Sequence, residues 1–282
     1  MLIGLNGATI MKSSLARDIE VAGKAGYDCL EIWASKLKEF LSENNPEDLV
    51  DLFKAHRIKP LAVNSIENAT LGTKDQFIQI KKECEVLCET ASRIGCEYIV
   101  IVPGEKNNSI PENEIHNRSV KALRELSDIA LRYNIKLAFE FLGFNNCSVN
   151  TLTDCLKIVE STARDNVGFV LDAFHFYTGA STMESLNNID IKHLFIFHIN
   201  DAEDISRADL RDANRLLPGD GAIPLKEILT ILNKKGYEGP VSVELFRPEY
   251  WQWPPFELAR TAKEKTLGLL EKAAAGFPAL KE

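Results

Sequence analysis

Short, nearly continuous β-branched runs alternate with helical stretches from one end of the chain to the other, and this alternation constrains the fold more than any other feature. A strand that is apolar on both sides must be buried on both faces, which happens when helices cover a parallel sheet. Parallel neighbours also need a crossover segment between them, and the intervening helices supply it. Eight such runs are legible, at residues 3–6, 29–33, 60–64, 98–103, 136–140, 167–172, 193–198 and 241–244. Pro46 followed by Glu47 and Asp48 suits a first helical turn. Gly26, Gly95 and Gly236 each stand between a helical stretch and a strand, where a left-handed cap is wanted. Eight strand–helix units with short connections predict an α/β fold closed into a (β/α)8 TIM barrel, with residues 1–282 forming one domain. Periodicity alone also admits an open doubly wound sheet. One connection, from Ala202 to Gly221, is too long for a bare joint and is expected to be a functional loop.

In a barrel of this kind the chemistry sits where the strands end, so the last residue of each run is informative. The final four runs end at Glu140, Asp172, His198 and Glu244. One carboxylate ending a strand is served equally well by capping the next helix. Four polar groups ending successive strands would converge on one side of the mouth, where burial is costly unless they share a ligand. A single divalent metal ion is that ligand. Three carboxylates and one imidazole suit Mn2+, with Zn2+ and Co2+ also accommodated.

The first four runs end at Asn6, Trp33, Asn64 and Pro103, which offer hydrogen bonds and an apolar wall. This half of the mouth is expected to hold the organic substrate, with Trp33 and Asn64 as contacts, although asparagine at a strand end is equally a turn-former. Glu31, inside the second strand, reads as a structural partner for a neighbouring cation. Asp201, three residues beyond His198, has two equal readings. It orients a ligand imidazole by accepting its second N–H, or it caps the following loop.

Composition serves mainly to exclude. A net charge of −8 opposes a role built on holding a phosphate backbone, so no nucleic-acid partner is expected. No apolar run approaches the roughly 20 residues needed to span a bilayer, and the first residues lack a basic lead segment, so no membrane association and a cytoplasmic location are expected. Six cysteines without a CxxC pair read as reduced thiols. Cys84 and Cys88, one helical turn apart, read as a packed pair rather than a metal site.

Two stretches carry a family resemblance: Asp165-Asn166-Val167-Gly168-Phe169-Val170-Leu171-Asp172-Ala173-Phe174-His175-Phe176 and Val241-Ser242-Val243-Glu244-Leu245-Phe246-Arg247-Pro248-Glu249-Tyr250. Through them the chain resembles the sugar isomerase/epimerase barrels, which include xylose isomerase-like enzymes, tagatose and psicose 3-epimerases, and most of all the inosose (2-keto-myo-inositol) isomerases of inositol catabolism. The resemblance implies that Glu140, Asp172, His198 and Glu244 are metal ligands, and that Glu140 and Glu244 act as general base and acid. The reaction it implies moves the carbonyl of a small polyhydroxy ketone through an enediolate. It also implies that His175 and Arg215 contact substrate oxygens. On their own these two read as a hydrogen-bonded loop histidine and a solvated charge. Substitution of Arg215 by alanine is then expected mainly to raise KM.

Related chemistries on this barrel are ketohexose 3-epimerisation and a dehydroshikimate-type dehydration, which begin from the same proton abstraction. A non-catalytic sugar-binding module would not need four converging ligands. An apurinic endonuclease needs additional histidines from the second and third strands. Of the five histidines here (56, 116, 175, 193 and 198), only His175 and His198 are expected at the mouth. A homo-oligomer is compatible with this reading.

Overall fold

The computed structural model describes residues 1–107 and 109–274; the remaining part of the expected 1–282 domain lies outside the described residues. Eight parallel strands close into a barrel: β1 (Leu2–Asn6), β2 (Cys29–Trp33), β3 (Lys59–Ile66), β4 (Tyr98–Ile101), β5 (Lys136–Glu140), β6 (Val167–Asp172), β7 (Leu194–Ile199) and, as the eighth, β10 (Pro240–Val243). Consecutive barrel strands are neighbours all the way round, and β10 pairs with β1 to close the ring. The chain is therefore the (β/α)8 TIM barrel that the alternation predicts. Closure leaves no sheet edge to protect.

The covering helices are α1 (Leu15–Lys24), α2 (Ala34–Leu41), α3 (Pro46–His56), α4 (Lys74–Ile94), α5 (Glu112–Leu131), α6 (Leu152–Thr162), α7 (Ala173–Thr178), α8 (Met183–Asn187), α9 (Leu225–Lys234) and α10 (Pro255–Ala274). Their ends follow the local chemistry of the sequence. Asn45 and Asp48 form a reciprocal capping box around Pro46 at the start of α3, and Thr73 with Gln76 does the same for α4. Gly95 ends α4 at φ 84°, a left-handed conformation that costs any residue with a Cβ.

Two apolar layers result. Residues such as Leu5, Leu30, Val63, Ile99, Leu137, Phe169 and Phe197 face the helices. Cys29, Leu61, Tyr98, Val100, Ala138, Val170 and Phe195 fill the inside of the barrel. Alternation along the strands divides the two sets, except at the register shifts beside Leu61 in β3 and Phe195 in β7. The six cysteines are free and buried, and Cys84 and Cys88 lie with their sulfurs 3.8 Å apart inside the packing of α4. No helix among the described residues is long and apolar enough to cross a membrane.

The long connection after β7 is ordered by its own small sheet. Strand β8 (Asp201–Ala202) pairs antiparallel with β9 (Arg215–Leu216), bringing Ala202 opposite Arg215. The loop thereby returns to the mouth of the barrel and fixes Arg215 beside the ends of β6 and β10.

Candidate metal centre

Register decides which side chains meet. Asp172 ends β6 directly opposite His198 on β7, and His198 in turn lies opposite Ser242 on β10, two residues before Glu244. Glu140 ends β5, beside β6. Side chains two residues apart on a strand share a face, so the ends of these four adjacent strands aim at one point. Glu140, Asp172, His198 and Glu244 each offer a ligand atom there, all within 4.8 Å of one another. All four are buried; His198 and Asp172 have no exposed surface at all.

The centre of the cluster is Nδ1 of His198. It lies 3.0 Å from Oε1 of Glu140, 3.3 Å from Oε2 of Glu244 and 3.8 Å from Oδ2 of Asp172. The opposite ring nitrogen, Nε2, is 3.0–3.1 Å from the two carboxylate oxygens of Glu31. Arg215 enters from β9 and is equally buried. Its Nη1 donates to Asp172 Oδ2 at 2.7 Å and to Glu244 Oε2 at 3.1 Å, and its Nη2 donates to His175 Nε2 at 3.1 Å. The Nε and Nη2 groups also pair with Asp212 Oδ1, at 3.1 and 3.0 Å.

These contacts differ from several expectations. Arg215 is not a solvated charge. Its guanidinium is engaged on every side by protein acceptors, on Asp172, Glu244, His175 and Asp212. Asn64 likewise turns inward, donating to Glu244 Oε1 at 3.1 Å, and Asn6 donates to the same oxygen at 2.9 Å. Asp201 serves as a cap: Oδ1 accepts the backbone N–H of Ala202 and Ile223, both at 2.9 Å, and Oδ2 that of Gly219 at 3.0 Å. The acceptor on His198 is Glu31 instead, because β2 directs that carboxylate into the barrel whereas β8 directs Asp201 into the loop. Asn200, absent from the sequence reading, donates to Asp172 Oδ2 at 2.8 Å. The i, i+2 relation to His198 was the signal that would have found it.

His175 sits one turn into α7, where its backbone N–H caps onto Asp172 Oδ1 at 2.7 Å. With Arg215 donating to Nε2, the ring proton belongs on Nδ1, and that buried nitrogen has no hydrogen-bond partner among the described residues. Trp33 is half-buried, its ring edge-on to Phe246 at 5.5 Å between centroids. Phe246 and Phe174 in turn sandwich the Arg215 guanidinium, at 5.2 and 4.8 Å.

Burial raises the Glu140 carboxyl, to about 8, against the pull of His198. Glu244 is also raised by burial, with His198 and Arg215 opposing. At Asp172, burial is outweighed by Arg215, His175 and His198, which hold the carboxyl below the ordinary range. Burial pushes His175 down to about 4, so it is neutral near pH 7. At His198, burial is outweighed by Glu244, Glu31 and Glu140, which hold the imidazole well above its usual value. Four buried carboxyl groups, and Asp212 at the edge, thus face one guanidinium and one imidazole. That oxygen-rich donor set, whose raised carboxyls a bound cation would favour in the ionised form, fits a divalent cation.

The chain is 41% identical over 265 residues, 94% of each chain, to the inosose isomerase of Halalkalibacterium halodurans. It is also 41% identical over 274 residues to the inosose isomerase of Bacillus subtilis, covering 96% of this chain and 99% of the relative. Among solved structures, the IolI protein with a zinc atom superposes with a TM-score of 0.94 at 41% identity, covering 97% of this chain and 99% of that one. A family model described as xylose isomerase-like TIM barrel matches residues 19–268, and the chain belongs to that family.

Proposed function

We propose that this chain is a divalent-metal-dependent inosose isomerase, moving the carbonyl of a cyclic polyol by proton transfer between neighbouring carbons. The observation that carries the reading is the convergence of Glu140, Asp172, His198 and Glu244 within 4.8 Å, in a chain 41% identical to inosose isomerases across nearly its whole length. These four residues would hold the ion. When bound, the ion supplies Lewis acidity toward a ketone oxygen and its adjacent hydroxyl. The three carboxylates and one imidazole suit Mn2+, and zinc is the ion named with the related IolI structure.

The two glutamates carry protons. Glu244 is held by three donors, with Asn6 and Asn64 on one oxygen and Arg215 on the other. Glu140 faces only Nδ1 of His198 as a side-chain hydrogen-bonding partner among the described residues. We assign first proton abstraction to the less restrained Glu140, and return of a proton at the neighbouring carbon to Glu244, while the proton of the adjacent hydroxyl passes to the former ketone oxygen. Burial keeps both carboxyls basic enough for the task despite a nearby cation. His175 Nδ1, a buried donor without a protein partner, is suited to a substrate oxygen. Trp33 and Phe246 form an apolar wall for the ring face. The free, buried cysteines accord with a reducing, cytoplasmic setting.

The test is to follow metal-loaded protein with a panel of inososes and ketohexoses in deuterated water by NMR. Deuterium should appear at the reacting carbon of an inosose and be lost in Glu140→Gln and Glu244→Gln. Undiminished exchange in both variants overturns the proton-carrier assignment, and a product lacking one hydroxyl would identify a dehydratase instead.

A further inference from the structure

We propose that Glu31 is the positioning residue of the metal centre, selecting which nitrogen of His198 binds the ion. This role rests on the metal reading above. An imidazole ligates through a nitrogen that has lost its proton, and the proton must then reside on the other nitrogen. Nδ1 of His198 is the nitrogen that faces Glu140, Asp172 and Glu244, whereas Nε2 points away from them to Glu31. A carboxylate accepts protons and cannot donate one when ionised, so Glu31 holds the proton on Nε2 and leaves the Nδ1 lone pair for the ion.

The placement is unusual for an acid. Glu31 lies within β2, on the inward-facing set with Cys29 and Trp33, and has no exposed surface. Its backbone is paired on one side with Asn6 and on the other with Ala62. Strand β2 lies three places round the barrel from β7, so the contact crosses the barrel interior. Among the described residues His198 is the group its carboxylate bonds to. A buried carboxylate with a single partner is costly, and its retention in a strand where an apolar residue would pack is explained by the ring it orients.

The experiment measures Zn2+ affinity by chelator competition for wild type, Glu31→Gln, Glu31→Leu and the ligand control Asp172→Asn, with far-UV circular dichroism confirming that each is folded. Glu31→Gln should weaken Zn2+ binding about 10- to 100-fold, the cost of losing an outer partner of a ligand histidine, and Glu31→Leu should weaken it further. In 15N-histidine spectra of the Zn2+-loaded wild type, the His198 proton should sit on Nε2 with the metal shift on Nδ1. Glu31→Leu should lose that pattern, which a merely structural role would not predict. Unchanged Zn2+ affinity in the folded variants, or a loaded ring protonated on Nδ1, overturns the role of Glu31 alone. A wild-type chain that takes up no Zn2+, or whose uptake is indifferent to Asp172→Asn, overturns the metal reading and the positioning role with it.

Discussion

The two halves of the barrel mouth are both polar, but they spend that polarity in different ways. From β5 round to β10 the strand ends carry charge: Glu140, Asp172, His198 and Glu244 crowd around one point and are bridged by Arg215. From β1 to β3 the side chains include the amides Asn6 and Asn64 and the carboxylate Glu31; Asn6 reaches to the adjacent β10, and Asn64 and Glu31 reach across the mouth, each to a member of the charged cluster. On the proposed reading one half supplies the ligands and the other holds them still. A buried carboxylate keeps its orientation only when its lone pairs are satisfied, so a metal centre built from four strands draws on the others for its hydrogen bonds. The proposed function would leave substrate recognition to the rim, where Trp33, Phe246 and Nδ1 of His175, unpartnered among the described residues, lie.

This division can be broken at graded cost. The largest effect belongs to the charged half: Glu140→Gln should lower turnover by about 10^2- to 10^4-fold, the usual contribution of a positioned proton carrier. Substrate affinity should change far less, and steady-state rates with an inosose check both. Arg215→Ala comes next. A residue that only touched substrate would raise KM, but one bonded to Asp172 and Glu244 should lower kcat as well. It should also destabilise the protein by about 3–5 kcal/mol, because two buried carboxylates lose their cation. Denaturant titration beside kinetics separates the two outcomes, and a pure KM effect would return Arg215 to the substrate.

In the supporting half the effects should be smaller. Asn6→Ala or Asn64→Ala removes one of two amides from the same Glu244 oxygen, at about 1 kcal/mol of stability, with roughly tenfold or less in turnover. The double variant should cost more than the sum, since the oxygen is then left bare; strict additivity, measured in a double-mutant cycle, would mean that the amides do not share a task.

The gentlest probe is pH. The Glu140 carboxyl stands at about 8 in the fold against 4.5 for an ordinary glutamate, so between those values the native chain holds a proton that the unfolded chain has released. Chelator-treated protein should therefore lose stability as pH rises from about 5 to 8. A bound cation favours the ionised carboxylate, so metal-loaded protein should show a flatter profile. Melting temperatures across that range, with and without metal, measure the difference, and equal slopes would remove Glu140 from the cation's surroundings.

Much of this centre was legible from strand ends alone. Glu140 and Asp172 are the last residues of β5 and β6, His198 stands one residue before the end of β7 and Glu244 one residue beyond β10, and in a closed parallel barrel the position along a strand fixes the position at the mouth. The supporting residues were harder to read. Asn200 escaped although it follows His198 by two residues, because it lies beyond the apolar run and has the appearance of a loop residue. Asp201 was equally balanced between capping and orienting, and the choice came from the path of β8, which points its carboxylate at backbone amides of the loop.

The sequence by itself determined the alternation of strands and helices, the caps that end them and the identity of the charged residues, since each depends on neighbours a few positions apart. Tertiary structure decided what those residues are bonded to. Asn6 reaches Glu244 across 238 positions of chain and Glu31 reaches His198 across 167, and only barrel closure and strand register bring such pairs within hydrogen-bond range. Arg215 depended on the same step: a charge in a long loop reads as solvated until the pairing of β8 with β9 folds it between two carboxylates.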